Sequence, residues 1–346
     1  MALAQFKPSQ VLEALVAAIK ARLNILIVGQ PGIGKTALVA LAARMVGALI
    51  ILSHPATEDP TDIKGFPCIL NGQACFVPFG QLKAAIEAST LTVWFLDDLG
   101  QATPAMQSAY MQVIWGGRIG SHTISDKVTF VAATNDRKHK ANVQPMIEPL
   151  KSRFTSTFEM VADFEEWRPW AIENGFSPIL LAFLKARPDL FSAFSPTADF
   201  DGSPTPRTWE HFASILQWDL TPATRKGLLE GAVGQGAAGE FLTFERMYGS
   251  LVEVDALLKN GNHGTLPTNQ PDRLWAIACA MAHRVDAKSM PNLGIVANRL
   301  FDAGCGEYAT LLVRDTVRRH PELQETATYA KLVTGEYGKY LSGQAA

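Results

Sequence analysis

Between Asn24 and Met45 the chain reads NILIVGQPGIGKTALVALAARM. A short apolar run, Ile25 to Val28, leads into Gly29-Gln30-Pro31-Gly32-Ile33-Gly34-Lys35-Thr36, and a series of good helix formers follows. No other segment restricts the fold as much, because strand, glycine-rich loop and helix in that order is the setting that the pattern GxxxxGK followed by Ser or Thr demands. The glycines let the backbone curl until its N–H groups converge on an anion, and the following helix turns its positive end to the same place. Gly29 to Thr36 are therefore expected to wrap the phosphates of a nucleotide. Lys35 would reach the β and γ phosphates, and the Thr36 hydroxyl would ligate Mg²⁺.

A site of this kind needs a second half. LTVWFLDDLG, Leu91 to Gly100, is apolar and rich in β-branched and aromatic residues until it meets Asp97 and Asp98. Such a run reads as a strand covered on both faces, the pattern of a parallel sheet with helices on either side. Ligands of these sheets sit at the carboxyl ends of the strands. Asp97 is thus placed to hold Mg²⁺ with Thr36, directly or through water, and Asp98 to orient and polarise the attacking water. A third strand, VTFVAATND, repeats the design and ends near Asn135. That asparagine would fix the water or touch the γ-phosphate, although Thr-Asn after a strand is by itself also a turn signal.

Two arginines complete the set. In IEPLKSRFTSTFEM, Arg153 follows a loop and precedes a further strand, where it would either be donated to a neighbouring subunit's γ-phosphate or form a surface salt bridge, with Lys151 or Arg137 as alternatives for the first role. In GSPTPRTWEHFASILQW, Thr205 and Pro206 read as the start of a helix. Arg207 then lies in the first turn, where the helix dipole disfavours a cation. A bound phosphate would account for it.

Composition narrows the classes. With 346 residues, 47% of them hydrophobic, the chain is long enough for about two domains and a substantial core. A net charge of −2 lacks the basic balance of nucleic-acid binders. No start resembling a signal peptide is present, and Arg44 and Gly47 interrupt the longest apolar stretch before the ~18 residues of a membrane span. A cytoplasmic protein is expected. The four cysteines and seven histidines form no CxxC, HxxxH or HExxH pattern, so no zinc site is read. Cys68 and Cys75 flank an Asn71-Gly72 turn and would face each other across a hairpin at a hydrogen-bonded pair; in a reducing compartment they would remain thiols.

In order, GQPGIGKT, VWFLDD, AATN, SRF and SPTPRTW resemble an AAA+ ATPase, with Walker A, Walker B, first sensor, arginine finger and second sensor in sequence. The chain is most similar to the MoxR-like branch. HPATEDPTDIKGFP resembles that branch's lead into the insertion in its second helix, and GGRIGSHTISDK its hairpin before the first sensor. The resemblance is detailed from about Ser9 to Trp209. It implies ATP and Mg²⁺ as ligands and an αβα sandwich on a five-stranded parallel sheet, followed by an α-helical lid and a C-terminal helical extension. The segments would be 1–160, 161–260 and 261–346. It also implies a ring, typically of six, with ATP at subunit interfaces, that remodels or matures a protein client, often with a von Willebrand factor A partner. The insertion near Phe66 to Phe76 and the hairpin near Ile119 would face the pore or the client. One departure is Asp98, where the family usually has glutamate. An aspartate is one methylene shorter, so either the loop brings it closer or hydrolysis is slow; competent hydrolysis is favoured because Asn135, Arg153 and Arg207 are in place.

Other functions remain open on the sequence: a DNA-directed motor or loader, or a slow, nucleotide-gated assembly scaffold. Before the core, Val11, Leu12, Leu15, Val16 and Ile19 lie at helical spacing and form one apolar stripe for the sheet. After about Met160 strand signals fade. A Pro/Gly/Asp-rich linker, SPTADFDGSPTP, precedes the Arg207 helix. Near the end, Arg314, Arg318, Arg319 and His320 are read as cations at a helix C-terminus rather than a nucleic-acid patch.

Overall fold

Alternation of apolar side chains through the first 160 residues builds a parallel sheet. In chain order the strands are β1 (Gln5–Phe6), β2 (Ile25–Gly29), β3 (Leu49–Ser53), β4 (Phe66–Leu70), β5 (Gln73–Val77), β6 (Thr92–Leu96), β7 (Arg118–Ile119), β8 (His122–Thr123), β9 (Val128–Thr134) and β10 (Ser156–Met160). Between them lie the helices α1 (Pro8–Ala21), α2 (Lys35–Met45), α3 (Pro60–Lys64), α4 (Gly80–Ile86), α5 (Pro104–Gly116) and α6 (Glu148–Lys151). The structure is a computed structural model and describes residues 3–136, 145–196, 201–249 and 253–334. Arg137 lies outside them.

Six strands form one parallel sheet in the order β1-β10-β2-β9-β6-β3. Ile25 and Ile27 of β2, Val93 and Phe95 of β6, and Val131 and Ala133 of β9 point to one face. There they meet the expected stripe of α1, with Val11, Leu15 and Ile19 fully buried, and Val39, Ala42 and Ala43 of α2. Leu26, Trp94, Leu96, Phe130 and Ala132 point the other way, onto Leu82 of α4 and Met106, Tyr110 and Val113 of α5. This strict two-sided sorting is the reason β6 contains no exposed residue.

Five strands are expected from the sequence and the sheet has six. The extra strand, β1, pairs Gln5 with Glu159 and Phe6 with Met160 along the otherwise open edge of β10. Two residues carry no readable periodicity; the pairing exists because that edge had unpaired backbone groups to offer. At the opposite edge, β3 leaves Leu49, Ile50 and Leu52 exposed.

Two small hairpins stand apart from the sheet. In β4–β5, Asn71 and Gly72 both have positive φ, as a tight two-residue hairpin turn requires, and Cys68 pairs with Cys75 as expected, their Sγ atoms 3.4 Å apart. The second hairpin, β7–β8, falls before β9 where the sequence anticipates one.

The chain divides into two compact units. Met1–Asp163 and Ser192–Arg207 make the first; Phe164–Phe191 and Thr208–Ala346 make the second. The second unit is helical: α7 (Phe164–Glu173), α8 (Pro178–Ala186), α9 (Pro206–Ile215, entered from the first unit), α10 (Pro222–Val233), α11 (Gln235–Gly249), α12 (Glu253–Lys259), α13 (Pro271–Arg284), α14 (Met290–Asp302), α15 (Gly306–Arg319) and α16 (Ala327–Thr334). Phe183, Trp209, Phe212 and Phe241 stack edge to face in its interior. A larger apolar cluster joins Leu274, Met281, Leu293, Val296, Leu312 and their neighbours. Within this unit the buried Arg168 pairs with the buried Asp315, tying α7 to α15, and the Arg168 guanidinium lies 5.1 Å from the Trp275 ring centroid. Burial pushes the Asp315 carboxyl above its usual range although Arg168 pulls it down. Among the described residues no helix is long and apolar enough to cross a membrane.

Candidate functional site

The glycine-rich loop joins the carboxyl end of β2 to the first turn of α2, and its shape follows from two glycines. Gly32 has φ +74°, and a Cβ there would lie 2.8 Å from Thr205 Oγ1 and 3.3 Å from Arg207 Cβ. Gly34 has φ +96° and forms the N-cap of α2. Both conformations exclude ordinary side chains at low cost. The loop therefore ends with the free N–H groups of α2 at its mouth.

Lys35, the first residue of α2, is buried and turned back into the loop. Its Nζ donates to Gly29 O at 3.1 Å, to Gln30 O at 2.7 Å and to Asn135 Oδ1 at 2.9 Å, which engages all three ammonium protons. Burial lowers its pKa to about 8; Asp98 and Asp97 pull it up, and Arg207 pushes it further down. Next to it, the Thr36 hydroxyl donates to Asp97 Oδ2 at 2.7 Å. Asp97 is held at the end of β6 by its own N–H bond to Ser53 O, 2.9 Å.

Asp98 occupies a left-handed backbone conformation, φ 56° and ψ 33°, ahead of the short helical turn Leu99–Gln101. Aspartate and asparagine tolerate this region better than longer side chains. Asp98 Oδ1 accepts from Asn135 Nδ2 at 3.1 Å. Burial raises the Asp98 pKa, helped by Asp97, against the pull of Lys35, His54 and Arg207. Asn135, only 6% exposed at the end of β9, thus bridges the lysine and the second aspartate with one amide.

Ser192 and Arg207, on either side of the linker 195–206 read from the sequence, both touch the same loop. Ser192 Oγ donates to Gln30 Oε1 at 2.7 Å, and the Arg207 N–H donates to Gly32 O at 3.0 Å. α9 starts at Pro206, as read from the sequence, and Arg207 falls in its first turn. Ser192 and the Gln30 side chain were not legible in the sequence, because a Pro/Gly-rich stretch signals only a break between elements. His54 was missed for a similar reason: it reaches the site only because β3 lies beside β6, Ser53 being in register with Leu96.

Arg153 is the one site candidate that is not in this cluster. Its carbonyl accepts from Asn24 Nδ2 at 3.4 Å, and the following strand begins with Ser156 beside Ile25. It therefore sits at the amino end of β2, whereas Lys35 follows the carboxyl end, roughly 13 Å of strand away. The Arg153 guanidinium carbon lies 4.3 Å from the Trp115 ring centroid. The surface salt bridge that the sequence left open is absent: no carboxylate pairs with Arg153 among the described residues. Lys151, by contrast, pairs with Glu148 at 2.6 Å.

A divalent cation is tested by the donor set. Thr36 hydroxyl and Asp97 carboxylate, two oxygen donors already in contact beside the lysine, fit a hard ion that keeps most of its water shell.

Residues 24–154 match the family model described as AAA domain (dynein-related subfamily). No curated protein matches the chain. Among solved structures it is similar to the RuvB Holliday junction branch migration motor of Thermotoga maritima, at 16% identity and a TM-score of 0.40 over 86% of this chain and 87% of that one. It is also similar to NtrX from Brucella abortus, at 15% identity and a TM-score of 0.36 over 97% of this chain and 67% of that one. Likeness at this level says nothing of substrate or partner. The stretch from residue 24 to residue 154, which matches the AAA domain model, supplies the lysine, both acids and the asparagine of the cluster on a parallel α/β sheet.

Proposed function

We propose that the chain is an ATPase that works as a ring in the cytoplasm, remodelling or maturing a protein client. The observation that carries the hydrolytic reading is the continuous chain of contacts from Lys35 through Asn135 to Asp98, with Thr36 and Asp97 alongside. Lys35 exchanges its carbonyl partners for β- and γ-phosphate oxygens, and the loop N–H groups cradle the remainder. Asp98, made more basic by burial, accepts a proton from a water aligned with the γ-phosphorus, and Asn135 fixes the direction of that carboxylate. The water oxygen bonds to phosphorus as the bond to the β-phosphate oxygen breaks. Mg²⁺, held by Thr36 and Asp97, would offset charge on the phosphate oxygens. Arg207, whose first-turn position is unfavourable for a cation without a ligand, contacts phosphate as well.

The ring is supported by the position of Arg153 at the far end of β2 from its own Lys35. An arginine there serves a γ-phosphate bound by another copy. The protein client, in place of DNA, is supported by the β4–β5 hairpin: Phe66 is 64%, Ile69 76% and Phe76 48% exposed, an apolar display rather than a basic one. A MoxR-like role with a von Willebrand factor A partner is the specific form of this reading.

The test is phosphate release by the purified chain, alone and with double-stranded DNA or a co-encoded von Willebrand-type protein, together with sizing in ADP and in a non-hydrolysable ATP analogue. Turnover stimulated by the protein, and a ring only with the analogue, is the expected result. Stimulation by DNA would replace the client reading with a DNA-directed motor. Nucleotide-dependent assembly with no measurable turnover would make the chain a gated scaffold.

A further inference from the structure

Trp115 lies at the last turn of α5, a helix that buries Met106, Tyr110 and Val113 on its inner side, yet its own ring is 72% exposed. One face of that ring is occupied by the Arg153 guanidinium, whose carbon is 4.3 Å from the centroid. Arg153 Nε is buried without a hydrogen-bond partner, and no acid pairs with the group among the described residues. The indole therefore stands where a carboxylate would otherwise hold this arginine.

The difference matters for an arginine that acts on phosphate. A carboxylate partner would occupy the planar fork of N–H donors that phosphate needs. An aromatic face fixes the plane of the guanidinium by attraction to its π cloud and leaves the terminal N–H groups free to donate in that plane. It also removes rotamer freedom before the ligand arrives, so less entropy is lost when the charge is used. Lys151, already paired with Glu148, lacks this arrangement.

We propose that Trp115 is a positioning residue for hydrolysis: its ring holds the Arg153 guanidinium oriented toward a γ-phosphate bound by a second copy of the chain. This rests on the reading of Arg153 as the group donated to a neighbour's site. Trp115 itself touches neither nucleotide nor water.

The experiment compares Trp115→Phe, which keeps an aromatic face, with Trp115→Leu, which keeps apolar bulk without one, in single-turnover ATP hydrolysis by the full chain. Both substitutions fall on an exposed side chain, so folding is not at stake. Trp115→Phe is expected to hydrolyse near the wild-type rate. Trp115→Leu is expected to slow the chemical step about 3- to 10-fold with KM for ATP unchanged. In an Arg153→Ala background Trp115→Leu should slow nothing further. Equal rates for the Phe and Leu variants, a change confined to KM, or an additional loss in the Arg153→Ala background would overturn the role of Trp115 while leaving Arg153 intact. Arg153→Ala turning over like wild type would overturn both, since nothing would remain to be positioned.

Discussion

Lys35 Nζ donates to Asn135 Oδ1 at 2.9 Å, a bond between residues 100 positions apart. It joins the first turn of α2 to the end of β9, across the mouth of the loop that would hold phosphate. With Gly29 O and Gln30 O it completes the lysine's hydrogen bonding, so an incoming phosphate competes with three protein oxygens. Lys35→Ala is predicted to weaken nucleotide binding about 10- to 100-fold, the weight of one charge-assisted hydrogen bond. Asn135→Ala should bind nucleotide at least as well, because it removes a competitor, and hydrolyse it poorly. Calorimetric titration with a non-hydrolysable analogue separates the two; equal loss of binding in both variants would show that Asn135 holds nucleotide rather than orients Asp98.

The backbone at Asp98 makes its substitutions unequal. Asparagine suits the left-handed conformation and keeps the side-chain length, so Asp98→Asn should fold and bind ATP but lose ~10² to 10⁴ in turnover with the base. Glutamate lengthens the acid by one methylene but is less tolerant of positive φ, and Asp98→Glu is expected to be about 1 kcal/mol less stable. Denaturant midpoints and phosphate release on the same preparations check both statements. Full activity in Asp98→Asn would remove Asp98 from the mechanism.

Gly32 meets two demands at once, φ +74° and a close approach of Thr205 and Arg207. Gly32→Ala should destabilise the chain by ~1–3 kcal/mol and displace Thr205 and Arg207 from the loop. Gly34→Ala has the backbone demand, φ +96°, with nothing within 4 Å of the added carbon. The expected outcome is that only Gly32→Ala increases protease cleavage next to Thr205. Identical cleavage patterns would mean that the contact with Gly32 does not hold Thr205 in place.

In the helical unit the pair Arg168–Asp315 is buried on both sides. Arg168→Met leaves the carboxylate without its partner and should cost ~3–5 kcal/mol, whereas Arg168→Met combined with Asp315→Leu should recover most of it. The pH dependence has a definite sign. Burial already raises Asp315 in the native protein, and loss of Arg168 raises it further. The penalty in Arg168→Met is then full at neutral pH and shrinks as pH falls and the folded state takes up the proton. Melting curves at neutral pH and near pH 4 test it; a gap to wild type that widens in acid would contradict the assignment.

Much of the first unit was legible because its signals are local. A two-residue alternation reports the strand faces, a helical stripe reports α1, and the spacing of glycines before Lys35 reports the loop, each within one element. Asp97, Asp98 and Asn135 could be placed at strand ends for the same reason. Their partners could not. Whether Asn135 bonds to Lys35, to Asp98 or to both depends on the lateral order β2-β9-β6, and no local pattern states which strand lies beside which.

By itself, then, the sequence determined a glycine-rich loop between strand and helix, a parallel sheet with acids at its carboxyl ends and a helical continuation, since each follows from propensity and burial of neighbouring residues. Only the tertiary structure decided that β1 joins β10, that Ser192 and Arg207 return to the loop, that Asn135 links lysine to aspartate, and that Arg153 rests on Trp115 instead of an acid. These contacts join residues far apart in the chain, and packing selects them: once the sheet and its helices bury their apolar faces, the remaining polar groups bond to whatever that packing has brought within reach.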